Sequence, residues 1–344
     1  MTNTKEDASK GKLHALTPVK NNGLIDNAHT LNPGTEFHPE ALENIRVNLS
    51  AVERRTSSLK GRRTVKKQWQ AAWLLKAISC IDLTTLSGDD TPGRVKRLCA
   101  KARNPIRPDL IKALNIEELN ITTGAVCVYH EMVETAVEAL KGTSIPVAAV
   151  STGFPAGLSP FKQRVEEIRQ SVHAGAREID IVITRQHVLR QNWQALYDEV
   201  RTFKDACGPD VHLKAILATG ELATLRNVAK ASMVSMMAGA DFIKTSTGKE
   251  KVNATLDFTL VMIRMIREYQ AFTGYKVGYK PAGGISTSKD AIAYQVLMKE
   301  ELGNDWLQPE LFRFGASSLL ADIERQLEHY VTGEYSAYNR HAIS

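Results

Sequence analysis

The sequence predicts an α/β protein, a (β/α)8 TIM barrel with an N-terminal helical extension, on three observations. Eight short β-branched or apolar runs recur along the chain, longer segments of helical period separate them, and the repeat fills roughly 250 residues, the span such a barrel needs. The runs are 80–84, 125–128, 147–150, 179–183, 213–217, 242–245, 277–280 and 314–316, each of strand length. The segments 159–174, 187–206, 222–238, 255–272 and 287–302 carry the i, i+3, i+4 spacing of amphipathic helices. An open doubly wound sheet would share this alternation, but its glycine fingerprint is missing. Gly153 and Gly157 are wrongly spaced for GxGxxG, and Thr247-Gly248-Lys249 lacks the upstream glycine and the following Ser/Thr of a P-loop.

Ahead of the barrel, residues 1–38 mix Asn, Pro, Gly, Thr and charge with little periodicity and are expected to form a flexible tail. Residues 39–76 turn helical and basic, residues 77–333 form the barrel, and 334–344 a C-terminal tail. The formal charge of +6 belongs to the start of the chain: residues 1–76 hold thirteen Lys+Arg against seven Asp+Glu, so the remainder is neutral. Within that stretch Arg54-Arg55 to Lys66-Lys67, followed by Trp69 and Trp73, could meet RNA or an acidic surface. The blander reading, preferred here, is a solvated amphipathic helix that packs its tryptophans on the barrel, so no nucleic-acid partner is expected. The start MTNTKEDASKGK offers no apolar stretch for a secretory signal, no apolar run approaches the ~20 residues of a membrane span, and a cytosolic location is expected. Cys80, Cys99, Cys127 and Cys207 lie far apart without a CxxC pair, as for reduced thiols, and the nine histidines include no HExxH or similar metal pair.

Parallel barrel strands are covered on both faces and read as apolar runs, so ionisable side chains in mid-strand stand out. Five occur: Asp82, Asp180, Lys214, Lys244 and Lys280. Because side chains alternate along a strand, Ile179 and Ile181 can face the helices while Asp180 points into the lumen, and the same parity turns Lys244 and Lys280 inward, with Gly278 leaving room. Any one of these could be a structural salt bridge. Together, three lysines and two aspartates would carry +1 in a space shielded from water. Two ammonium groups ~6 Å apart at an effective dielectric of ~20 repel by roughly 2.8 kcal/mol, about two pKa units, so one lysine should tend to lose its proton. A neutral amine near pH 7 is a nucleophile suited to Schiff-base formation with an aldehyde or ketone.

Small residues follow the last two strands: Gly283 and Gly284 after the seventh, Ser317 and Ser318 after the eighth, the serines as helix N-cap candidates. Loops after strands seven and eight are where such barrels commonly hold phosphate, and Thr247, Gly248 and Lys249 could close the cradle. A lysine-dependent enzyme acting on a phosphorylated carbonyl compound is the reading these residues support.

The motifs Gly239-Ala-Asp-Phe-Ile-Lys-Thr-Ser-Thr-Gly-Lys249, Gly278-Tyr-Lys-Pro-Ala-Gly-Gly284, Phe314-Gly-Ala-Ser-Ser318 and Ile81-Asp-Leu-Thr-Thr-Leu86 resemble those of the deoxyribose-phosphate aldolase family, in the same order, over residues 77–333. The resemblance implies a class I aldolase without cofactor or metal, cleaving 2-deoxy-D-ribose 5-phosphate reversibly to D-glyceraldehyde 3-phosphate and acetaldehyde in deoxynucleoside catabolism. By position, it implies Lys244 as the Schiff-base lysine, Lys280 as the neighbour that lowers its pKa, and Asp180 as proton donor and acceptor. Lys214 and Asp82 match its polar network, Cys127 a position near the aldehyde and Thr84 one near a substrate hydroxyl. Thr247, Gly248, Lys249, Gly283, Gly284, Ser317 and Ser318 match its phosphate end. Two departures stand out: Ser286 occupies a position where the family often has arginine, and the tail holds Tyr338 in place of a terminal tyrosine. A transaldolase-like sugar-phosphate aldolase, a barrel with an added RNA- or protein-binding role in its basic N-terminus, and a homo-oligomer remain open.

Overall fold

A computed structural model describes residues 31–337 together with 340 and 341. Eight strands run β1 (Ile81–Thr84), β2 (Ala125–Tyr129), β3 (Val147–Val150), β4 (Glu178–Val182), β5 (His212–Ile216), β6 (Phe242–Lys244), β7 (Gly278–Lys280) and β8 (Phe314–Ala316). All pair in parallel in the order β7-β6-β5-β4-β3-β2-β1-β8, and bridges Tyr279↔Phe312 and Ala282↔Gly315 join the two ends into a ring. The eight expected strands are all present, within a residue or so of their expected limits.

The extension comprises α1 (Pro39–Glu43), α2 (Leu49–Ser57), α3 (Leu59–Arg62) and α4 (Lys67–Ser79). The barrel helices are α5 (Pro92–Arg103), α6 (Pro108–Leu114), α7 (Val133–Ala139), α8 (Phe161–His173), α9 (Arg185–Leu189), α10 (Trp193–Cys207), α11 (Leu225–Met237), α12 (Leu256–Thr273), α13 (Ser288–Leu302) and α14 (Leu319–Thr332). Threonine or asparagine starts many of them: the side chains of Thr91, Asn192, Thr224, Thr255 and Thr287 each accept the amide N–H three residues on. Asn192 explains one difference from expectation. The segment 187–206 is two helices, because Gln191 adopts φ +56° and Asn192 caps a new start. The main core lies between strands and helices, where Ile179 and Ile181 of β4 are fully buried.

Residues 32–37, expected within the tail, are packed on the barrel. Asn32 is buried: its side chain donates to the carbonyls of Met236 and Ala240, its amide donates to Asp241, and it accepts from Tyr269 Oη. These bonds offset the cost of ordering the segment, which composition alone does not reveal. The tail expectation for residues 1–30, and Tyr338, lie outside the described residues.

The extension spends part of its charge on the barrel. Arg55 pairs with Glu300 and Glu301, Lys60 with Asp290, and Arg63 with Glu300, while α2 lies on α12 and α4 on α13 and α14. Of the two tryptophans only Trp73 packs as expected, with Lys299 Nζ 5.6 Å from its ring centroid; Trp69 is 54 % exposed. Among the described residues no helix is long and apolar enough to cross a membrane, and the four cysteines are buried and unbridged.

Candidate active site

Strand register sets the height of each lumen side chain. Asp180 lies level with Lys214, Ile216 level with Lys244, and Lys244 level with Lys280, so the two upper lysines stand side by side one layer above the Asp180–Lys214 pair. All five predicted charges meet there, and all are buried. Lys244 Nζ donates to Asp180 Oδ2 at 2.7 Å, and Lys280 Nζ donates to the same oxygen at 2.7 Å and to Asp82 Oδ2. Lys214 Nζ bonds Glu178 Oε2 and, at 3.2 Å, Asp82 Oδ2, and lies 3.3 Å from Asp180 Oδ1. That Oδ1 is buried yet accepts no hydrogen bond among the described residues, which leaves it able to take a further donor.

Two members of the network escaped the sequence reading. Glu178 stands two residues before Asp180 on the same strand face, where the parity rule carried one residue further would have found it. Arg313, one residue ahead of β8, donates to Asp82 Oδ1 at 2.6 Å and to Glu178 Oε1 at 2.8 Å. Its parity with Gly315 was the only clue. The seven groups comprise four cations and three carboxylates, so with every group ionised the buried set still carries +1.

The environment separates the three lysines. Burial, reinforced by the charge of Lys280, pushes the Lys244 amine below its ordinary value of 10.5, while Asp180 pulls the other way. Like-charge crowding therefore contributes as expected but ranks behind desolvation. For Lys280 and Lys214 burial acts in the same direction but is outweighed, by Asp180 and Asp82 for the first and with Glu178 added for the second, so both are held above the ordinary lysine value. Asp180 is held well below the usual carboxylate range: burial would raise it, but Lys214, Lys244 and Lys280 prevail. The arrangement holds one amine below its ordinary value between a carboxylate held well below its own and an ammonium held above.

Gly278 makes room for a different neighbour than expected. A Cβ there would lie 2.3 Å from the ring of Phe242, so the glycine admits Phe242 rather than Lys280. It is Gly315 that borders Lys280, with 3.3 Å from a built Cβ to Lys280 Cε. Beside the lysines Cys127, Ala148 and Val150 form a small apolar cluster with Leu86, Tyr129 and Phe154. Burial pushes the Cys127 thiol up, keeping it a neutral wall group. Thr84, at the end of β1, donates its hydroxyl to the Asp82 carbonyl at 2.7 Å.

The predicted phosphate residues gather at the mouth, on loops after β6, β7 and β8. Gly283 and Gly284 adopt φ +81° and +79°, and a Cβ on Gly248 would reach Gly283 Cα at 3.9 Å, so the β6 and β7 loops close on each other. Thr247 is held by Glu250, its hydroxyl donating at 2.8 Å, and Lys249 Nζ reaches across to the Leu86 carbonyl at 3.3 Å. Ser317 and Ser318 are exposed at the start of α14. Ser318 occupies the N-cap position, but its hydroxyl makes no capping bond, against expectation. Its backbone is already helical, which turns the side chain away from the N3 amide. The helix after Gly284 begins only at Ser288, capped by Thr287.

Comparison with known proteins bears on the same residues. A model of DeoC/LacD family aldolases matches residues 76–325, which span every lumen group described above. The deoxyribose-phosphate aldolase of Homo sapiens is 61% identical over 310 residues, covering 90% of this chain and 97% of that protein. The Mus musculus protein of the same name is 61% identical over 308 residues, covering 89% and 96%. Among solved structures, the tetrameric deoxyribose phosphate aldolase from Aeropyrum pernix superposes with a TM-score of 0.58 at 19% identity, over 84% of this chain and all of that one, a likeness that speaks to fold alone. A closed ring of parallel strands, a poised lysine at its centre and a match over the whole barrel lead to one assignment: the chain belongs to the DeoC/LacD aldolase family.

Proposed function

We propose that the chain is a class I deoxyribose-phosphate aldolase that cleaves 2-deoxy-D-ribose 5-phosphate to D-glyceraldehyde 3-phosphate and acetaldehyde, in deoxynucleoside catabolism in the cytosol. The observation that carries this reading is the Lys244 amine, depressed by burial and flanked at one carboxylate oxygen by Lys280. The close relatives named deoxyribose-phosphate aldolase support the substrate.

Neutral Lys244 attacks the C1 aldehyde of the open-chain sugar, and loss of water gives an iminium. A two-carbon aldehyde and a three-carbon phosphate require the C2–C3 bond to break. The C3 hydroxyl proton leaves to a base, the C2–C3 electrons flow into the iminium, and the product is an enamine on Lys244. A water held on Asp180 Oδ1, which accepts no hydrogen bond among the described residues and faces Lys214 at 3.3 Å, is placed to take that proton, with Lys280 as the charged donor at the other oxygen. Protonation of the enamine carbon and hydrolysis release acetaldehyde and regenerate the amine. Thr84 and Cys127 line the path of the sugar chain, with Lys214 and Asp82 in the layer beneath. The phosphate lies against Gly283, Gly284, Ser317 and Ser318, with Thr247, Gly248 and Lys249 on the facing loop. Ser286 supplies no cation, which leaves Lys249 as the charged contact among these residues.

The test is borohydride reduction in the presence of acetaldehyde, followed by mass spectrometry of the peptides. The adduct is expected on Lys244, and Lys244→Met is expected to lose both adduct and turnover. Cleavage retained in that variant would move the nucleophile elsewhere. Trapping by a ketose phosphate instead of acetaldehyde would favour a transaldolase-like enzyme. A homo-oligomer, as in the Aeropyrum protein's tetramer, is to be checked by light scattering.

A further inference from the structure

Glu178 and Arg313 form the part of the lumen that the reaction itself does not reach. Among the described residues Lys244 makes its ion pair with Asp180 alone, whereas Glu178 and Arg313 lie one layer further down. The planar fork of Arg313 bridges Asp82 on β1 and Glu178 on β4, strands separated by two others in the ring, so it spans the barrel. Lys214 bridges the same two carboxylates. Between them they occupy both Glu178 oxygens and Asp82 Oδ1, which turns Asp82 Oδ2 toward Lys280. The site is built for this arginine. A Cβ on Gly124 would stand 3.2 Å from Arg313 Cδ, and the Phe242 ring, on the strand beside Lys214, lies 6.0 Å from Arg313 Cζ and 5.8 Å from Lys214 Nζ.

We propose that Arg313 and Glu178 are positioning residues of the Schiff-base site: their ion pair across the barrel floor fixes both the place and the net charge of the lysine–carboxylate ladder above it. The inference rests on the aldolase reading given above. Arg313 stays protonated at any working pH, so it is the permanent member of the set. With it, four cations face three carboxylates, and Lys244 is the group that can shed the excess. Without it, three lysines balance three carboxylates and Lys244 holds its proton to higher pH. Removing the charge of Glu178 acts in the opposite sense. The other charged or titratable groups that face this set are Cys80 just before β1, Asp82 on β1, Cys127 on β2, Asp180 on β4, Lys214 with His212 at the foot of β5, and Lys280 on β7. β3 presents only Ala148 and Val150 on the lumen side.

The test is the pH dependence of kcat/KM and of acetaldehyde trapping by borohydride in the full-length enzyme. The acid limb is expected to move up by about one pH unit in Arg313→Met and down by a similar amount in Glu178→Gln, each about tenfold in rate on that limb. It should return close to wild type in the double variant and stay in place in Arg313→Lys. A merely structural pair would impair the double variant at least as much as either single one and leave both limbs unmoved; that result overturns the proposal, as would shifts of the same sign. If Arg313→Met does not fold, Arg313→Gln, which also removes the charge but keeps hydrogen-bonding reach toward Asp82 and Glu178, takes its place against Glu178→Gln. Failure of the wild-type protein to trap acetaldehyde on Lys244 counts against the aldolase reading, whereas normal trapping with unmoved limbs counts against the positioning role alone.

Discussion

Replacing Lys280 with methionine removes one ammonium and keeps nearly the same volume. Lys244 and Lys280 each lie 2.7 Å from Asp180 Oδ2, so their nitrogens are no more than about 5.4 Å apart. At an effective dielectric of about 20, unit charges at that spacing repel by about 3 kcal/mol, or about two pKa units. The variant also leaves Asp180 with one fewer cation, which strengthens its hold on the Lys244 proton. The free amine persists above the Lys244 pKa and is lost below it, so raising that pKa displaces the acid limb of kcat/KM toward alkaline pH. The expected outcome is a limb about two units higher and a rate at neutral pH lower by about two orders of magnitude. Borohydride trapping with acetaldehyde should show the same displacement and recover at high pH. An acid limb unchanged from wild type would refute the charge argument and leave desolvation as the sole cause of the depressed amine.

Other consequences can be measured on stability. Gly278→Ala forces its Cβ against the Phe242 ring and is expected to cost about 1–3 kcal/mol or more, read from the denaturant midpoint, with lowered activity because that ring packs against Lys214 and Arg313. Asn32→Ala strands the Asp241 region and Tyr269 without their partner and should cost about 1–3 kcal/mol of stability while leaving the kcat of the folded enzyme unchanged. Asp82, Asp180 and Glu178 are all held below their ordinary values by neighbouring cations that outweigh burial. The folded state therefore binds fewer protons than the unfolded one. This stabilisation is complete above about pH 4.5, the ordinary glutamate value, and is lost progressively as pH falls toward the depressed folded values, which urea titrations at pH 7, 4 and 3 would follow.

Much of this was readable beforehand because it depends on local rules. Period-two and period-3.6 patterning placed all eight strands, and mid-strand charge singled out Asp82, Asp180, Lys214, Lys244 and Lys280, since a carboxylate or an amine in an oily strand has few bland explanations. What escaped was set by distance in sequence. Arg313 lies outside its strand and reaches its partners from across the ring, so no window of sequence contains the contact. Asn32 reads as a turn residue until Asp241, 209 positions away, is brought beside it. The order of causes behind the Lys244 amine was also hidden, because charges can be counted from a sequence while the depth of burial cannot. Gly278 looked like space for a lysine because the two are near in sequence; the ring it admits comes from the neighbouring strand.

Phe242, level with Lys214, and the Arg313–Glu178 pair in the layer below fill the lower part of the ring with buried side chains. With that lower part filled, the loop end is the doorway from which sugar and water would reach Lys244. On the proposed function, a phosphorylated fragment held by the loops after β6, β7 and β8 would stand in that doorway, and the water that frees the bound two-carbon unit would enter after the three-carbon product had gone. Release would then be sequential, and the enamine would be sheltered from hydrolysis for as long as the larger product stays, the interval in which the reverse, bond-forming reaction can occur.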